Sequence, residues 1–162
     1  MPTVAVRRAP GSPRLATAEV RRRADRMLAA LGEAASDLSV LLVDDAEIER
    51  LNARHRRKRK PTDVLAFPMD DVATPPRGRA RLLGDVVVSL DTAARHARER
   101  RHPLVVEVTH LLAHGLLHLL GWDHRTDEEE ARMNEATADL VAAATHPQGP
   151  RHTPRRRLRD RA

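Results

Sequence analysis

The run Leu104–Leu120, LVVEVTHLLAHGLLHLL, constrains the fold more than any other part of the chain. It is free of proline, with Pro103 just ahead and Gly121 just behind, which predicts one helix punctuated at both ends. At about 100° per residue, Glu107, His110, His114 and His118 share one stripe roughly 80° wide. Nearly everything else is Leu, Val or Ala, apart from Thr109 and Gly115. A helix apolar almost all round is a core helix, and a polar stripe on it requires partners. The most apolar stretch, residues 111–122, is too short to span a bilayer and carries two histidines, so no membrane segment is expected. A chain of 162 residues suits one domain built around such a helix.

The chain has no Cys, which excludes disulfides, thiolate metal sites and a thiol nucleophile. Histidine remains. His114 and His118 are four apart, so their rings project side by side and can bind one ion. His110, His114 and His118 together form a poor triad, because about 12 Å of helix rise separates the outer two. Gly121 permits a left-handed turn, after which Trp122-Asp123-His124 can fold back and bring His124 beside the pair. Three neutral imidazoles suit zinc, one per chain, and leave a fourth position for a water made acidic by the ion. His110 reads as a satisfied core residue. A zinc peptidase with this spacing needs Glu directly after the first histidine, but Gly115 stands there. That stands against a simple peptidase. A glycine inside a helix costs about 1 kcal/mol relative to Ala, so Gly115 is expected to serve close approach of a substrate or neighbouring backbone.

Around this helix the punctuation predicts an α+β domain of four strands and four to five helices. Residues 3–7 read as a short strand. Thr17 reads as the N-cap of a helix over 18–31 that ends at Gly32. A buried strand follows at 38–43, then a helix over 45–53 opened by an Asp44/Glu47 capping box. The basic run 54–60 reads as a loop. Strands are expected at 64–67 and 82–90, with a Pro/Gly-rich connection between them. Asp91 reads as the cap of a polar helix. Thr126 with Glu129 opens a last helix over 127–144. The domain is expected to end near residue 146, with 147–162 a disordered basic tail.

The formal net charge of +6 is unevenly spread. Residues 54–60 carry +6, the tail 147–162 carries +5, and the remainder is acidic at −5. Charge alone therefore supports contact with polyanions and no more.

Three segments resemble the YbeY-type endoribonucleases, the ribosomal RNA maturation factors of bacteria and organelles: HGLLHLLGWDH at 114–124, LGDVVVSL at 83–90 and NARHRRKRKPTDVLAFP at 52–68. The resemblance covers about residues 38–143. It implies a zincin-like single domain, with a small mixed β-sheet packed beside a central metal-bearing helix. It implies zinc on His114, His118 and His124, and places the family's arginine at Arg56. The chain departs from the family at Ala66, where Ser is usual, at Trp122, where Tyr is commoner, and at Arg57, where Gly is frequent. The activity implied is a cytoplasmic, single-strand-specific, metal-dependent endoribonuclease. It would act in maturation of the small-subunit ribosomal RNA 3′ end and in ribosome quality control. The partners implied are ribosomal RNA and the small ribosomal subunit, with a ribosomal-protein or GTPase helper.

The chemistry of the residues agrees with that role. His114 counts as both ligand and catalytic residue. Arg56, a planar fork of donors, suits a phosphate clamp, while Arg57, Lys58, Arg59 and Lys60 suit nonspecific phosphate attraction. Asp85 and Asp123 are candidates for contacts behind the ligands or for proton transfer. Asp63 reads equally as a turn residue. Phe67 and Trp122 are the only aromatics, too few for a base-stacking platform. The alternative is a non-catalytic ribosome assembly factor with a structural zinc, closed by a fourth protein ligand such as His110 or Asp123. A metal hydrolase of another small substrate is a third reading.

Overall fold

The computed structural model describes residues 4–8, 10, 15–56, 62–69 and 82–146. Strands β1 (Val4–Arg8), β2 (Asp37–Val43), β3 (Val64–Pro68) and β4 (Leu82–Ser89) form one sheet in the order β1-β2-β4-β3. β1 and β4 both run parallel to β2, and β3 runs antiparallel to β4. The helices are α1 (Thr17–Ala30), α2 (Asp45–Arg56), α3 (Leu90–Arg100), α4 (Leu104–Leu119) and α5 (Asp127–Thr145). The expected mixed sheet with a central histidine-bearing helix is present.

Strand alternation divides the core between the two faces of the sheet. Val40, Leu42, Ala66, Val86 and Val88 face α1, α4 and α5, in the larger core that holds Leu28, Leu112, Leu116 and Leu140. Val43, Leu65 and Val87 face the other way and pack against Ile48 of α2. Thus α4 and α2 lie across the sheet from each other. Truncating a fully buried leucine of α4, such as Leu112, to Ala should cost about 2–5 kcal/mol.

Three local expectations need correction. Helix α1 has Ala16 at its N-cap with no side-chain cap bond, and Thr17 is already helical. Its first turn is held by Ala16 C=O, which accepts from the Glu19 and Val20 amides. Helix α3 is capped by Ser89, whose Oγ accepts from the Thr92 amide, rather than by Asp91. Asp91 instead accepts from the Asp45 amide at 3.0 Å, so it serves the start of α2. Finally α2 runs on to Arg56, because Arg and His sustain a helix where Pro or Gly would stop it. The first half of the basic run is therefore helical, while Arg57, Lys58, Arg59, Lys60, the 70–81 connection and the 147–162 tail lie outside the described residues.

Candidate metal centre

Gly121 ends α4 as expected, at φ 90°. The Trp122 amide donates to Leu117 C=O and the Gly121 amide to His118 C=O, both at 3.0 Å. This pair of bonds satisfies the last carbonyls and turns the chain back on the helix. Trp122 then packs against the main core, which fixes where the next two residues emerge. Asp123 Oδ1 accepts from the His124 amide at 2.8 Å and Oδ2 pairs with Arg125 Nε at 2.7 Å. These contacts hold the Asp123 carboxyl below the usual carboxylate range, led by the His124 amide. Asp123 thus positions His124 from behind and does not join the ligand atoms.

His114, His118 and His124 converge. One ring nitrogen of each lies within 4.8 Å of the others, and His114 Nε2 stands 3.1 Å from His118 Nε2. Tetrahedral zinc bonds of about 2.0–2.1 Å would set ligand nitrogens roughly 3.3 Å apart, so the pair is spaced for one ion. Burial pushes the His114 pKa down to about 4; His118, His124 and His110 push the same way, against the Asp63 carboxylate. A neutral imidazole with a free lone pair is what a metal requires. The three residues can hold a metal ion. Among the described residues they form the one such group, with no fourth protein ligand.

The polar stripe of α4 is two sites rather than one. Glu107 is 1% exposed and faces the α3–α4 turn, where Arg100 Nη1 and His102 Nε2 each approach its carboxylate at 2.7 Å and His96 Nδ1 at 3.6 Å. Burial pushes the Glu107 carboxyl up, but the His102 bond and the Arg100 charge outweigh it and hold it below the usual range. His110 is exposed, not a core residue. It is outside the ligand group but close enough to act electrostatically on His114.

Gly115 lets the helix sit down on the sheet: a β-carbon there would meet Val86 Cγ1 at 2.7 Å and Val64 Cγ2 at 3.1 Å. The expected close approach is to side chains of the sheet. It brings Thr62, Asp63, Val64 and Ala66 to the histidines, and together these residues line a pocket of about 200 Å³. Asp63 is the functional candidate that sequence reasoning undervalues. Its carboxylate acts electrostatically on His114 and lines the same pocket because β3 packs against α4 beside it.

Asp85 does not reach this pocket. It pairs with Phe67 in the β3–β4 register, and Phe67 packs on the α2 face of the sheet, so Asp85 faces away from α4. Gly84, at φ 136°, sits where the β2–β4 register shifts, and a β-carbon there would lie 2.2 Å from Phe67 C=O. Arg56 is the last residue of α2, and residues 57–61 separate it in sequence from Thr62, which lines the pocket.

Residues 12–145 match the family model described as Endoribonuclease YbeY. The chain is 48% identical over 130 residues to Endoribonuclease YbeY of Anaeromyxobacter sp. (strain Fw109-5), covering 80% of this chain and 66% of that one. It is 48% identical over 118 residues to the Aquifex aeolicus (strain VF5) protein of the same name, covering 72% and 76%. A second Anaeromyxobacter relative, from Anaeromyxobacter dehalogenans, is matched over 64% of its length. The chain therefore spans just under two thirds of the two Anaeromyxobacter proteins. A solution structure of a Thermotoga maritima protein superimposes with a TM-score of 0.61 at 22% identity, covering 97% of this chain and all of that one; this likeness concerns the fold alone.

Proposed function

The chain belongs to the YbeY endoribonuclease family, and on that premise we propose that it is a zinc-dependent endoribonuclease that cuts single-stranded ribosomal RNA. The observation that carries this reading is the convergence of His114, His118 and His124 in one pocket that Asp63, Val64 and Ala66 also line. The chemistry supplied by zinc at such a site is Lewis-acid stabilisation of phosphoryl charge and acidification of water.

The protein's own residues do the rest. Partial burial keeps His114 neutral and ready to ligate, with the Asp63 carboxylate beside it to balance the positive charge gathered at the site. Asp123 fixes the backbone of His124. Arg56 clamps the phosphate through its planar donors, and Arg57, Lys58, Arg59 and Lys60 draw the RNA backbone toward the pocket. A closed structural site would require a fourth protein ligand. Among the described residues Asp123 is engaged with His124 and Arg125, and His110 stands outside the group. This supports catalysis over a purely structural ion. The partner we propose is the small ribosomal subunit in the cytoplasm; among the described residues no helix is long and apolar enough to cross a membrane.

The test is cleavage of precursor small-subunit ribosomal RNA by the wild type, by the chelator-treated protein and by the same protein after zinc is restored. Cleavage lost on chelation and regained with zinc is expected. Undiminished cleavage by the metal-free protein would remove the basis of the reading.

A further inference from the structure

Among the described residues no strand covers the outer edge of β3, and its main-chain groups can be assigned from the ladder with β4. The Ser89 amide donates to Asp63 C=O at 2.9 Å, and the Met69 amide donates to Leu83 C=O at 3.2 Å. In the register Val64↔Val88 and Ala66↔Val86, these two bonds belong to pairs of the same parity. Hydrogen-bonded and non-hydrogen-bonded pairs alternate in an antiparallel ladder. Asp63, Leu65, Phe67 and Met69 therefore turn their N–H and C=O toward β4, while Val64, Ala66 and Pro68 turn theirs outward. Pro68 agrees with this assignment, since a residue without an N–H is tolerated where the N–H is not needed.

Val64 and Ala66, whose main-chain groups turn outward, both line the histidine pocket. Val64 C=O and Ala66 N–H are neighbours along that edge, an acceptor beside a donor. We propose that this pair reads the Watson–Crick edge of an unpaired RNA base lying next to the metal centre. Every base offers a donor adjacent to an acceptor there: the amino group and ring nitrogen of adenine or cytosine, the ring N–H and carbonyl of guanine or uracil. A base in a duplex has already used these groups, so the edge selects single strands with little preference for sequence. It also supplies a base contact that does not depend on stacking. Neither aromatic side chain offers a stacking surface at the pocket, because Phe67 packs on the α2 face and Trp122 against the main core.

This inference rests on the endoribonuclease reading of the same pocket, and the experiment separates the two. Ala66→Pro removes the donor while leaving the β4 ladder bonds intact. An amide-to-ester replacement at Ala66, with lactic acid in place of Ala, removes it with no change of side chain. The zinc-loaded proteins are titrated by fluorescence anisotropy with a short single-stranded 2′-O-methyl RNA of mixed sequence, and with the same strand annealed to its complement. Bound metal is measured in each, and cleavage of unmodified RNA is followed in parallel. Both variants are expected to keep their metal and to lose single-strand affinity about fivefold, the worth of one hydrogen bond, with duplex affinity unchanged. An ester variant that binds the single strand as tightly as wild type, while wild type cleaves RNA, overturns the inference alone. A wild type that neither binds nor cleaves RNA overturns the endoribonuclease reading and the inference with it.

Discussion

Gly115 and Val86 are in such close contact that any side chain at 115 must push helix and sheet apart: a β-carbon on the glycine would lie 2.7 Å from Val86 Cγ1. Valine is stiff at χ1 and has no flexible end to move aside. Gly115→Ala gains about 1 kcal/mol of helix propensity but overpacks the core by about 1–3 kcal/mol, so a net loss near 1 kcal/mol is expected in chemical denaturation. Metal affinity should fall too, because α4 must lift from the strands that wall the pocket. Unchanged stability and metal affinity would show that the close seat of α4 is not required.

Glu107 is expected to matter to stability and not to chemistry. Glu107→Gln removes a buried charge from Arg100, His102 and His96 and should cost about 1–2 kcal/mol, discounted because Arg100 is half exposed. The carboxyl titrates below its ordinary value of 4.5 in the folded protein. Its contribution is therefore present above that pH and lost as pH falls through the lowered folded value. Melting curves of wild type and variant should be furthest apart above pH 4.5 and converge below it. A gap that persists in acid would place the effect in packing.

Arg56 and its neighbours should separate in kinetics. Arg56→Ala is expected to lower kcat about a hundredfold with bound metal unchanged, as loss of one charge-stabilising donor does. Lys58→Ala or Arg59→Ala should instead raise KM and reduce the salt dependence of binding by about one ion each. If all three variants behave alike, Arg56 is one more member of a solvated basic run.

Asp123→Asn should weaken metal binding about tenfold in competition with a chromophoric chelator, leaving the melting temperature near that of wild type. The substitution puts a neutral acceptor where a carboxylate oxygen now holds the His124 amide. Unaltered metal affinity would mean that the turn at Gly121 positions His124 unaided.

The three histidines that can hold a metal ion are legible in the sequence because their geometry is local. One helical turn separates His114 from His118, and a glycine at the helix end turns His124 back. The polar stripe misleads because a helical wheel shows which residues share a face, not what they meet: Glu107 meets the α3–α4 turn and His110 meets solvent. Asp63 is undervalued because its place beside His114 depends on a strand crossing about fifty residues away in sequence. Asp85 is misplaced for a different reason. Three consecutive valines, Val86, Val87 and Val88, hide the period-two alternation that would show it facing α2.

The central claim is that the three histidines hold the ion that RNA cleavage needs. Bound zinc and the rate of single-stranded RNA cleavage, measured on the same preparations of wild type and His114→Ala, test it most directly. The expected result is one zinc per wild-type chain, none in the variant, and a cleavage rate lower by at least about a hundredfold. A metal-free His114→Ala protein that cleaves at the wild-type rate would contradict it.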